Sequence, residues 1–123
     1  MKIYELSDAE KYIMDQFWQH GTMTGPAVAE LVSGKEWKRT TLYTFLSRLT
    51  AKGMLRAEKS GTASVYVPLV TKQAYQSTIG QKFLDEQYGG RAKDFLASMI
   101  SEKRLSENDI KELQDWFTEQ GGR

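Results

Sequence analysis

Arg39-Thr40-Thr41-Leu42-Tyr43-Thr44-Phe45-Leu46-Ser47-Arg48-Leu49-Thr50-Ala51-Lys52-Gly53 is the stretch on which the fold turns. Leu42, Phe45, Leu46 and Leu49 fall at i, i+3, i+4 and i+7, the spacing that gathers four apolar side chains on one side of a helix and buries them together. The opposite side carries Thr40, Tyr43, Thr44, Ser47 and Arg48. A solvated face would be rich in Glu and Lys. This one offers short hydroxyls and an arginine, groups that can approach the floor of a DNA major groove, with no carboxylate to repel phosphates. Hydroxyl-rich faces also occur on plain surface helices, so the flanking elements have to decide between the two.

Upstream, Ser7-Asp8-Ala9-Glu10 has the spacing of a capping box and predicts a helix start, after which Ile13, Met14, Phe17 and Trp18 recur at helical spacing as a core stripe. His20-Gly21 ends that helix. Thr24-Gly25-Pro26 predicts a second, short helix with Thr24 as its cap and proline in the first turn, where a missing N–H costs nothing. Val28, Leu31 and Val32 supply its buried face before Ser33-Gly34 interrupts the pattern. Two short helices joined closely ahead of the opening stretch suggest a helix-turn-helix, with the Arg39-to-Lys52 helix as its reading element.

Downstream, residues 54–59 and 64–69 read as two strands turning through Ser60-Gly61-Thr62-Ala63. Helix, helix, helix, hairpin is the order of a winged helix-turn-helix. Its basic tip, Lys59-Ser60-Gly61, can lie against the phosphate backbone, although a hairpin can also be a plain structural flap. Thr71 then caps a helix running to Gln87-Tyr88, closed by Gly89-Gly90. Ile79, Phe83, Phe95, Leu96, Met99 and Ile100 lie on this and the next amphipathic helix, and Ile110, Leu113, Trp116 and Phe117 on a last one opened by Ser106-Glu107-Asn108-Asp109. Three such helices bury little surface alone, so these apolar residues are read as a dimer seam. The fold expected is mainly α with a small β-hairpin wing: a winged helix-turn-helix over 1–70 and a helical dimerisation segment over 71–123.

Charge supports that division. The net charge of the 123 residues is only +1, yet residues 35–59 hold seven basic side chains against two acidic ones, a net +5. Residues 72–123 hold eight basic and nine acidic side chains and cannot bind a polyanion in the same way. The candidate DNA-binding residues are Lys38, Arg39, Thr40, Thr41, Tyr43, Thr44, Ser47, Arg48, Lys52, Lys59, Ser60 and Gly61.

Composition also narrows the chemistry. Without cysteine there are no disulfides, thiolate metal sites or thiol nucleophiles, and the lone His20 has no second histidine with which to share a metal. The carboxylates are scattered over helical faces with no convergent catalytic set. No metal, cofactor or enzymatic activity is expected. No apolar run approaches the roughly 20 residues needed to span a bilayer, and the leading Met1-Lys2-Ile3-Tyr4-Glu5-Leu6 lacks the features of a secretory signal. A cytoplasmic protein without membrane contact is the expectation.

Trp37-Lys38-Arg39-Thr40-Thr41 through Arg48-Leu49, followed by Lys52-Gly53-Met54-Leu55, resembles the BlaI/MecI/CopY family of bacterial repressors. Leu6-Ser7-Asp8-Ala9-Glu10 with Trp18, Phe83-Leu84 ahead of Tyr88-Gly89-Gly90, and Leu105-Ser106 ahead of Ile110 extend the resemblance over nearly the whole chain. It implies a homodimer that represses transcription from inverted-repeat, double-stranded operator DNA. Members like CopY release DNA through paired cysteines near the C-terminus, which this chain lacks. Members like BlaI and MecI are cut between an asparagine and a phenylalanine once a membrane sensor has detected a β-lactam. The matching positions here are Ser98 and Met99, a different pair, so that bond is the candidate cleavage position while the inducing signal and any sensor-linked protease stay open. A winged-helix regulator with a small-molecule effector pocket, and a protein-binding adaptor that does not touch DNA, are the alternative readings.

Overall fold

The computed structural model describes residues 4–120, so Met1-Lys2-Ile3 of the leader reading and the terminal 121–123 lie outside it. The chain divides into two compact units, Met1–Gly80 and Gln81–Arg123.

In the first unit, α1 spans Asp8–His20, α2 Gly25–Leu31 and α3 Arg39–Ala51. The capping box at Ser7 forms as its spacing predicts: the Glu10 N–H donates to Ser7 Oγ at 3.2 Å and the Ser7 N–H donates to Glu10 Oε1 at 2.7 Å. Gly21 stops α1 at a φ of 79, a conformation that glycine adopts without a Cβ penalty. Thr24 caps α2 by accepting from the Ala27 N–H. Between α2 and α3 the chain makes a 3-10 turn at Ser33–Lys35.

The stripe predicted for α3 is buried at Leu42, Leu46 and Leu49, with Phe45 half-buried beside them. Ile13, Met14 and Phe17 of α1, Val28 of α2 and Val32, which closes α2, complete the helical core. Burying a side chain of this size stabilises by about 1.5–3 kcal/mol, so this shared core packs α3 against the first two helices. Leu31 differs from its expected place: it is 38% exposed and is the last residue of α2.

The hairpin comprises β2, Leu55–Ser60, and β3, Ala63–Pro68, with Ser60 opposite Ala63. Gly61 at φ 66 opens its two-residue loop, where a primed turn suits the strand twist. Beyond the two strands expected from sequence there is a third, β1 at Met23–Thr24, which pairs antiparallel with β3 and gives the order β1-β3-β2. Two residues are too few to show an alternating pattern, and they double as the entry to α2. Met54 and Leu55 are buried at the base of the wing, while the rest of β2 is exposed.

Thr71 caps α4, Lys72–Tyr88, through the Ala74 N–H. The first unit extends to Gly80, beyond the 70/71 division drawn from sequence, because the opening turns of α4 pack on α1. Tyr75 lies 5.4 Å from the Trp18 ring, and the Trp18 indole N–H donates to the Val70 carbonyl at 2.9 Å.

The second unit holds the end of α4, α5 at Ala92–Ser101 and α6 at Glu107–Glu119. Phe95 meets Phe83 and Tyr88 edge-on, the rings of Phe83, Tyr88 and Phe95 lie within 6.0 Å of one another, and Ser106 with Asp109 forms a second capping box. None of its described residues is fully buried.

Candidate nucleic-acid interface

The outward face of α3 is a shallow hollow lined by Thr40, Tyr43, Thr44, Ser47, Arg48 and Ala51. Thr40, Thr44, Ser47 and Arg48 are exposed, as are Lys38 and Arg39 at the helix entrance, whereas Thr41 is half-buried. The Thr44 hydroxyl donates to the Thr40 carbonyl at 2.9 Å. With its proton taken up within the helix, the exposed hydroxyl keeps lone pairs that can accept from a base amine. No Asp or Glu occurs anywhere from Arg39 to Lys52.

Two of the expected contact residues have other partners. Tyr43 is half-buried, its ring laid over Gly25 at the start of α2, so close that a β-carbon there would collide with the phenol. Lys52, the residue closing α3, donates from Nζ to the Glu10 carboxylate at 2.6 Å and to the Glu5 carbonyl at 2.8 Å. Glu10 is 2% exposed. Burial pushes its carboxyl up, but the Lys52 ammonium and the Ser7 hydrogen bonds outweigh that and hold it below the ordinary value. Sequence reasoning saw Glu10 only as a cap and missed Gly25, since neither long-range contact has a local signature.

At the wing, Lys59, Ser60 and Gly61 are exposed at the hairpin tip, and Arg56 is paired with Glu58 at 2.7 Å. Lys35 sits 4.5 Å above the Tyr12 ring, and Trp37 bridges Tyr12 and Phe45 at 6.1 and 5.1 Å, fastening the segment before α3 to α1. Among the described residues Lys38, Arg39, Arg48 and Lys59 have no ion-pair partner, so these four cations are available to a polyanion.

Of the expected seam residues, Ile79, Phe83, Ile100, Leu113, Trp116 and Phe117 are exposed to between 37% and 53%, and Phe95, Leu96, Met99 and Ile110 are half-buried. The Ser98–Met99 bond lies inside α5, where the Ser98 hydroxyl donates to the Phe95 carbonyl at 2.8 Å and sits 3.1 Å from the Tyr88 hydroxyl. No group of metal-ligating residues occurs among the described residues, and no helix of these is long and apolar enough to cross a membrane.

The family model described as penicillinase repressor matches residues 6–119. The chain is 31% identical over 123 residues to the penicillinase repressor of Bacillus licheniformis, covering 99% of this chain and 96% of that one. It is 25% identical to the methicillin resistance regulatory protein MecI of Staphylococcus aureus (strain N315), over 93% of this chain and 94% of the relative. Among solved structures it is similar to the DNA-binding domain of the repressor BlaI in solution. That match has a TM-score of 0.55 and 35% identity, over 60% of this chain and 92% of that domain. A second, with a TM-score of 0.52, 35% identity and the same coverages, is to monomeric Bacillus licheniformis BlaI in complex with the blaP half-operator.

Proposed function

The chain belongs to the penicillinase repressor family, and from that premise we propose that it is a homodimeric transcriptional repressor that binds an inverted-repeat operator. α3 enters the major groove, and the wing tip lies on the flanking phosphates. The observation that carries this reading is the outward face of α3: exposed Thr40, Thr44, Ser47 and Arg48 with no acidic neighbour on the helix, flanked by Lys38, Arg39 and Lys59, which have no ion-pair partner among the described residues. Hydroxyls and the arginine discriminate base edges, while the lysines neutralise phosphates and release counterions.

Dimerisation supplies the second half-site. Leu113, Trp116 and Phe117 leave an apolar stripe on α6 that a second copy would cover. A cut at Ser98–Met99 would detach α6 and so relieve repression by separating the two reading heads. The repressor works in the cytoplasm, where its operator is. The hollow beside the stripe, lined by Leu105, Asp109, Glu112, Leu113 and Trp116, is open along α6, unlike the enclosed pockets that bury most of a small ligand. It therefore favours a protein surface over an effector.

The test is a binding titration on the DNA segment recovered with the protein from its own cells, against a scrambled duplex of equal length, over a range of salt. Preference for the recovered segment, with affinity falling steeply as salt rises, is expected. Equal or negligible binding to both would contradict repression through DNA.

A further inference from the structure

Glu10 has two attachments that a helix cap alone does not need. Its Oε1 accepts from the Ser7 N–H at 2.7 Å, which completes the capping box of α1, and also from Lys52 Nζ at 2.6 Å, 42 residues further along the chain. Lys52 Nζ reaches on to the Glu5 carbonyl at 2.8 Å. The equivalent box on α6, Ser106 with Asp109, forms without any cation among the described residues. Capping is therefore achieved without a lysine, and the Glu10–Lys52 pair serves a different purpose.

Its place in the fold indicates which. Lys52 closes α3, its N–H donates to the Arg48 carbonyl at 2.9 Å, and the chain then turns through Gly53 at φ 82 into the buried base of the wing at Met54 and Leu55. The pair ties to the start of α1 a junction that the Met54 N–H to the Leu49 carbonyl and the Leu69 N–H to the Met54 carbonyl already join to the last turn of α3, which bears Ser47 and Arg48, and to the root of the hairpin. Glu10 is 2% exposed and its Oε2 has no partner among the described residues, so without the ammonium a buried carboxylate would be left unbalanced. It would then turn towards water and release the junction.

We propose that Lys52 is a positioning residue for operator reading, which with Glu10 sets the angle at which Arg48, Ser47 and the wing meet DNA, rather than a phosphate contact. This rests on α3 being the DNA-reading helix.

The experiment compares full-length wild type with Lys52→Met, Glu10→Gln, Lys52→Arg and Lys59→Ala. Each binds the recovered DNA segment and the scrambled duplex over a range of salt, at a temperature where circular dichroism shows the native fold. Lys52→Met and Glu10→Gln remove charges of opposite sign, yet both are expected to lower the ratio of specific to scrambled binding by at least about fivefold, the loss of one base contact. Their salt slopes should match wild type, and Lys52→Arg should restore the ratio. A Lys52→Met variant that behaves like Lys59→Ala, losing affinity uniformly with a shallower slope, would overturn the proposal. So would an unchanged ratio in folded protein, which would leave the pair a role in stability alone. A wild type with no preference for the recovered DNA contradicts the proposed function instead. The positioning claim is then read without DNA: amide exchange over residues 48–54 should accelerate in Lys52→Met while that of α2 does not, and unchanged protection there would overturn it.

Discussion

The ring of Tyr43 lies over Gly25, its hydroxyl in the space that a β-carbon on residue 25 would occupy. Glycine there leaves the far end of the Tyr43 side chain its place against the start of α2. Gly25→Ala should push the ring aside and destabilise the first unit by about 1–3 kcal/mol, the usual cost of overpacking. In a Tyr43→Ala background, where the ring is gone, the same change should cost much less. Urea midpoints of the four proteins measure this, and an equal cost in both backgrounds would contradict the contact.

How far the fold was legible follows from the range of each signal. Helices α1, α3 and α6 declare themselves locally, by capping spacing and by stripes such as Leu42, Leu46 and Leu49, because 3.6-residue periodicity is written within a dozen residues. Met23–Thr24 was invisible as a strand because only its pairing with Val65 and Tyr66, far along the chain, makes it one. The same limit explains the site. That α3 has a hydroxyl-rich outer face could be read from its spacing, but that Tyr43 turns to Gly25 and Lys52 to Glu10 depends on where α2 and α1 come to lie.

Acid should weaken the first unit through Glu10. Its folded-state pKa is lowered from the ordinary 4.5, so its contribution is fully present above that value and is lost as pH falls through the lower folded-state value. Thermal unfolding of wild type against Glu10→Gln should show an advantage of about 1.5–3 kcal/mol at neutral pH, as for a hydrogen bond to a charged group. The advantage should hold down to the ordinary carboxylate range and close only below it. A gap that is constant at every pH would mean that the charge on Glu10 plays no part.

At the wing tip, Lys59 is exposed and unpaired among the described residues, and its contribution should be charge alone. Lys59→Ala should weaken binding to any DNA by a similar factor and shallow the plot of log affinity against log salt by about one unit. An unaltered slope would place the hairpin away from the backbone.

On α6, Leu113, Trp116 and Phe117 are 37%, 53% and 45% exposed, an apolar stripe whose burial against a second copy would stabilise by about 1.5–3 kcal/mol per side chain. Leu113→Asp puts a charge in that seam. Sedimentation should show monomers with a folded first unit, and affinity for the full operator should fall far below that of wild type, because the second half-site contact is no longer effectively intramolecular. A variant that still sediments as a dimer, or a monomer that binds the operator normally, would refute the assembly.

The claim that α3 reads bases is tested most directly by the specificity ratio of Thr44→Ala and Arg48→Ala. Both residues are exposed on the outward face, and neither supports the buried stripe on the other side. Binding of each variant and of wild type is measured on the recovered segment and on the scrambled duplex at one salt concentration. Loss of a base contact should reduce discrimination by about 1–3 kcal/mol per residue, with little change in binding to the scrambled duplex. Ratios equal to that of wild type in both variants would contradict the account.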